Sequence, residues 1–144
     1  MLGFESAHEF WLVRLAESGE VIPLTDLTPV PLTKPWFAGV ANVRGALYSV
    51  VDFSVFRGLE PTPHNSEARL LLVGARAGIN AALLVQRTLG LKNPDLFHAA
   101  SAAGDAPRAA PWIGPRLSDA QEHVWTQLEV RSLLATPEFM NIGI

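Results

Sequence analysis

The sequence predicts an all-β barrel fold, and three observations carry the prediction. Short apolar runs rich in residues that suit a pleated sheet recur between Gly and Pro turn signals, the helical signals are each only a turn or so long, and no strand alternates with a long amphipathic helix. A strand, Gly turn, strand, short capped helix order at 36–58 returns more faintly at 112–135, as two related barrel subdomains in one chain would produce. At 144 residues the chain is one domain by size, 1–144, long enough to bury about two-thirds of the surface its unfolded form exposes.

The elements follow in order. Residues 10–13, Phe-Trp-Leu-Val, read as a first strand closed by a turn at Ser18 and Gly19. The segment 21–35 holds Pro23, Pro29, Pro31 and Pro35, which excludes a helix interior and a central ladder position; it reads as an extended, ordered connector. Residues 36–43 and 46–51 are almost continuously apolar, so both faces of these two strands must be covered. Arg44 and Gly45 form the tight turn between them, with Asn42 and Arg44 on the same side. Asp52 is positioned to cap a short helix over 53–57, and Gly58 to end it in a left-handed conformation. Pro61 and Pro63 begin a linker. Two further strands, 68–73 and 79–85, flank a hairpin loop at 74–78 whose glycines lack the Gly-Lys-Ser/Thr ending of a phosphate loop. The Ala-rich stretch 97–111 reads as a mobile surface loop. A last strand pair is expected at 115–117 and 124–128, then a helix over 129–135 and a short turn capped by Thr136 ahead of Pro137.

Composition narrows the function. With 11 basic against 14 acidic residues the net charge is −3, which offers no basic field for nucleic acid or an anionic membrane surface. No apolar run approaches the roughly 20 residues that cross a bilayer, no signal-peptide pattern opens the chain, and there is no cysteine. A cytoplasmic protein with protein partners is the expectation. His8, His64, His98 and His123 are widely separated, without metal-ligand spacing and expected to be exposed. Nothing in the spacing of Asp26, Asp52 and Glu60 demands convergence as an acid/base pair, and Ser49 and Ser54 lack a nucleophile elbow. No catalytic residue, metal or cofactor is predicted.

The candidate site lies in 36–58. A guanidinium fixed at a tight turn between buried strands is a recognition device, because its rigid donors engage carboxylates bidentately and its charge is permanent. Arg44, Asn42, Val40, Gly45 and Trp36 are the candidate partner-binding residues. The competing structural readings are an internal ion pair of Arg44 with Asp52, an Asn42 side chain spent on turn backbone groups, and burial of Trp36, Phe37 and Val40 in the seam between barrels. A second functional reading is a small-ligand sensor using the aromatic region 36–53.

Residues 39–45, Gly-Val-Ala-Asn-Val-Arg-Gly, followed by 49–53, Ser-Val-Val-Asp-Phe, resemble the signature of the CheW-like adaptor family of bacterial chemotaxis systems. The order of the 28–31 prolines, the 74–78 hairpin and Trp112-Ile113-Gly114 also resembles the family's, so that the resemblance covers nearly the whole chain. It departs at Ser49, Gln86 and Glu129, where many members carry proline, an acid and aspartate. The first residues fall within the family's first strand, which leads one to expect a preceding segment. The resemblance implies two intertwined five-stranded SH3-like β-barrels sharing an apolar seam, with no enzymatic activity. Implied partners are the regulatory domain of a CheA-type histidine kinase and the cytoplasmic hairpin tip of a methyl-accepting chemoreceptor, at membrane-bound arrays. The phrase ANVRGALYSVVDF is similar to the PilI branch that serves twitching motility and type IV pili.

Overall fold

The structure, a computed structural model, describes residues 1–74, 78–99 and 110–141. The chain begins with a hairpin, β1 (Leu2–Ser6) and β2 (Glu9–Val13), and a one-turn helix, α1 (Leu15–Ser18). It then builds β3 (Val21–Pro23), β4 (Phe37–Val43), β5 (Ala46–Asp52), α2 (Phe53–Phe56), β6 (Arg69–Val73) and β7 (Ala81–Val85). Returning to the first hairpin, it adds β8 (Arg87–Leu91), a 3-10 turn at Pro94–Leu96, β9 (His98–Ala99), β10 (Ile113–Ser118), β11 (Val124–Leu128), α3 (Val130–Leu134) and α4 (Pro137–Met140).

Two sheets result, ordered β8-β1-β2-β11-β10-β9 and β3-β6-β7-β5-β4. Each contains one parallel pair, β11 beside β2 and β5 beside β7. The middle of the chain makes one sheet while the two ends make the other, which is the intertwining the resemblance implies. The all-β class and the two-barrel plan hold. The sheet formed from the chain's ends has six strands rather than five, its extra member being the two-residue edge strand β9.

Continuous apolar runs are explained by two cores on opposite faces of one sheet. Val51, Leu71, Val73, Leu83 and Val85 face an aromatic core with Phe4, Trp11, Phe53, Trp112 and Leu128. Val50, Leu70, Leu72, Ala82 and Leu84 turn the other way, into a smaller aliphatic core with Ala41 and Val43. Every residue of β7 is buried, as a strand covered on both sides requires.

The structure corrects several expectations. The strand at 10–13 is the second, because β1 precedes it with Gly3 and Glu5 in its interior and Ser6 at its end. These are poor strand formers made tolerable by tertiary contacts. The Trp125 ring lies 3.0 Å from where a Cβ on Gly3 would stand, and Glu5 Oε1 accepts from Arg87 Nε at 2.6 Å. That ion pair joins β1 to β8, a strand with no sequence signal of its own. Part of the connector is a strand, β3, and Pro23 is tolerated there because β3 is a sheet edge. Pro61 and Pro63 flank no loose linker: Thr62 is buried and bonded to Asp52. Of the hairpin loop at 74–78, residues 75–77 lie outside the described residues. So do 100–109 of the expected mobile loop, while 98–99 are in β9 and Phe97 packs edge-on against Trp125 at 5.7 Å. Thr136 stands at the start of α4 without capping it, because its hydroxyl donates to Ser132 O at 2.8 Å. Nor does Glu129 cap α3; Glu17 of α1 accepts from Val130 N at 3.1 Å instead.

Candidate functional site at the β4–β5 hairpin

The hairpin closes with Val43 paired to Ala46, leaving Arg44 and Gly45 as a two-residue turn. Both take positive φ, 51° and 87°, as the primed turns that match strand twist require. Gly45 does so freely, whereas Arg44 adopts a conformation that costs a side-chain-bearing residue about 1–2 kcal/mol. Asn42 holds the turn in place, its Oδ1 accepting from Gly45 N at 3.0 Å. The reading of Asn42 as a partner for turn backbone is therefore the one its geometry realises.

Arg44 does not pair with Asp52. Its Nη1 and Nη2 donate to the two carboxylate oxygens of Glu20, at 2.8 and 2.5 Å, in a bidentate fork. Both side chains are exposed, Arg44 at 67% and Glu20 at 47%, so the remaining guanidinium N–H groups face solvent. The hydrogen bond and charge of Arg44 hold the Glu20 carboxyl below its usual range, and Glu20 raises Arg44 in turn. Asp52 lies at the other end of β5, buried. Its Oδ1 accepts from Ser54 N at 3.1 Å, from Val55 N at 3.4 Å and from the Thr62 hydroxyl at 2.7 Å; Oδ2 accepts from Thr62 N at 3.0 Å.

Val40 is midway along the hairpin, half-buried. Its N–H and C=O both bond to Thr28, each at 2.9 Å, so the connector covers this part of the β4 edge. Gly39 makes that approach possible: its φ is +138°, and a Cβ there would lie 2.8 Å from Thr28 O. Trp36 is at the base, where its ring packs T-shaped on Phe56 (5.1 Å) and tilted on Phe139 (6.5 Å), and its carbonyl accepts from Asp52 N at 2.8 Å. The seven-residue strand between them puts Trp36 roughly 20 Å or more from the tip. Arg44, Asn42 and Gly45 thus form one exposed cluster, while Val40 and Trp36 belong to different surroundings.

Two residues at the tip escaped sequence reasoning. Glu20 is brought to Arg44 only by sheet pairing, its carbonyl accepting from Leu72 N at 2.8 Å, and nothing local announces it. Leu47 is 63% exposed beside the turn, although it sits in a run read as buried. The signal was its place opposite Asn42 in the two-residue hairpin register, since cross-strand partners share a face.

The aromatic region considered for a small ligand is filled by its own rings: Phe53 packs on Trp11 at 4.9 Å and on Trp112 at 5.7 Å, and Phe56 on Trp112 at 5.6 Å. A cleft of about 430 Å³ opens elsewhere, beside the connector, lined among others by Asp26, Leu27, Ala38 and His64. All four histidines are exposed, and among the described residues no three His, Asp or Glu side chains converge as metal ligands. Among the same residues no helix is long and apolar enough to cross a membrane.

The sequence profile of the CheW-like domain matches residues 1–138. Over 92 residues the chain is 34% identical to Protein PilI of Pseudomonas aeruginosa, an alignment covering 64% of this chain and 51% of that protein. The chain therefore spans about half the length of that relative. The crystal structure of the scaffolding protein TtCheW from Thermoanaerobacter tengcongensis shares the fold, with a TM-score of 0.70 at 17% identity over 88% of this chain and 86% of that one.

Proposed function

The chain belongs to the CheW-like domain family, and from that premise we propose that it is a non-enzymatic adaptor coupling a methyl-accepting chemoreceptor to a CheA-type histidine kinase. The output is chemotaxis or, given the likeness to Protein PilI, type IV pilus twitching motility. In this reading 1–144 is one CheW-like domain of two barrel subdomains, held in the cytoplasm at membrane-bound receptor arrays. The work of such a protein is the free energy of two simultaneous protein contacts, which requires two separable surfaces on a rigid body.

The observation that carries the proposal is the hairpin tip. A guanidinium is held in a strained turn by a bidentate exposed carboxylate, with an exposed leucine alongside and, among the described residues, no catalytic constellation around it. Arg44, Asn42 and Gly45 are assigned to the receptor-facing contact. Val40 and Trp36 support the middle and the base of the hairpin rather than touching the same partner. Co-sedimentation with a receptor hairpin fragment and with a kinase regulatory domain tests the reading. Binding to both is expected, and failure to bind either one removes it.

A further inference from the structure

A second charged constellation lies away from the hairpin, on the core-facing side of the six-stranded sheet. Arg116 of β10 stands across from Thr126 of β11, which lies beside Trp11 of β2. Residues in register across a sheet share a face, so these three form one row. In the next row Glu9 stands across from Ser6, and Val124, half exposed, marks this as an open end of the sheet. Arg57, at the end of α2, lays its guanidinium 4.9 Å above the Trp11 ring and pairs with Glu9.

Among the described residues the charges here do not balance. Arg57 has one carboxylate partner, Glu9, and the exposed Arg116 has none, while the Asp119 carboxylate is bonded to Trp125 Nε1 at 3.0 Å on the opposite face of the sheet. Arg57 is only 19% exposed in its side chain, while its partner Glu9 is 51% exposed and open to solvent. Burial, and after it the charge of Arg116, weakens the hold of Arg57 on its proton. Two buried polar atoms in the same rows, Trp11 Nε1 and Ser6 Oγ, have no hydrogen-bond partner. An unpaired donor in such a place costs about 1–3 kcal/mol unless an acceptor arrives.

We propose that Arg57 and Arg116 form a binding site for an Asp or Glu carboxylate supplied by another protein, which joins or displaces Glu9. Arg57 Nη1 already donates to one carboxylate oxygen, so the chemistry is that of the occupant Glu9 itself. The overall charge of −3 gives no long-range attraction for an acidic segment, so recognition depends on these residues alone. The site is independent of whether the partner is a receptor or a kinase, so the adaptor reading and this one stand or fall separately.

The test uses the isotopically labelled full chain and an acetylated hexaglutamate peptide at constant ionic strength, following the Trp11 indole N–H by NMR. A saturable shift is expected. Arg116→Ala, at an exposed position, should weaken binding by about tenfold or more without lowering the melting temperature. Glu9→Gln should tighten it several-fold by removing the internal competitor. Absence of a saturable shift, unchanged affinity in Arg116→Ala, or no tightening in Glu9→Gln overturns the proposal. So does saturation by inorganic phosphate without any response to the peptide, which would make this a site for a free anion.

Discussion

At one end of β5 Asp52 is buried and accepts from two backbone N–H groups of α2 and from both Thr62 donors; at the other Arg44 is exposed and engages a single side chain, Glu20. The two residues belong to one short motif and look equivalent in sequence, as charges bounding apolar strands. Their surroundings assign them different work. Asp52 joins strand, helix and the 61–63 segment into one unit, so losing it disturbs the fold. Arg44 is held in a strained turn by a partner that itself faces water, so losing it disturbs what the tip can touch.

That contrast is broken most forcefully at the base. Phe53 is fully buried against Phe4, Trp11 and Trp112, and Phe53→Ala should destabilise the protein by about 4 kcal/mol in denaturant unfolding. Asp52→Ala should follow at about 3 kcal/mol, from a lost helix cap together with Thr62 donors left without an acceptor. A loss below about 1 kcal/mol in the second variant would mean that the 61–63 segment is not tied to the hairpin as its geometry indicates.

At the tip the expected effect moves from stability to binding. Arg44→Ala should leave the melting temperature nearly unchanged, because the pair with Glu20 is exposed, and should weaken binding of a receptor hairpin fragment about tenfold or more. Unfolding of this variant would instead make Arg44 a structural residue like Asp52. The comparison would then collapse.

How much of this was legible in the sequence follows from where each element draws its stability. The β4–β5 hairpin, its Gly45 turn and the Asp52 cap were readable because they are local: apolar runs, a glycine at positive φ and a capping acid lie within about twenty residues. The strands β1, β3 and β8 were not, since Gly3, Glu5, Pro23 and Gly90 are tolerated only because a distant ring, an ion pair, a sheet edge or a bulge accommodates them. The site divides in the same way. Arg44 and Asn42 announce themselves beside a tight turn, while Glu20 acquires its role through the pairing of β3 with β6. The surroundings of Trp36 were hidden for a related reason: its aromatic character was visible, but not that α4 would bring Phe139 against it.

The smallest effect is the most specific to the tip. Because Arg44 lowers the Glu20 carboxyl below its ordinary value of 4.5, the folded state binds that proton more weakly than the unfolded chain does. Whatever stability the pair contributes is therefore fully present above the ordinary value and lost as pH falls through the lowered one. Glu20→Gln removes the charge with little change in shape. The melting-temperature difference between parent and variant should be small and constant near neutral pH, and should fade as pH drops below about 4. It should also fade at neutral pH as salt rises toward about 1 M, where the screening length is only about 3 Å. A difference that survives both acid and salt would show that Glu20 acts through packing and not through charge, placing it with Asp52 rather than with Arg44.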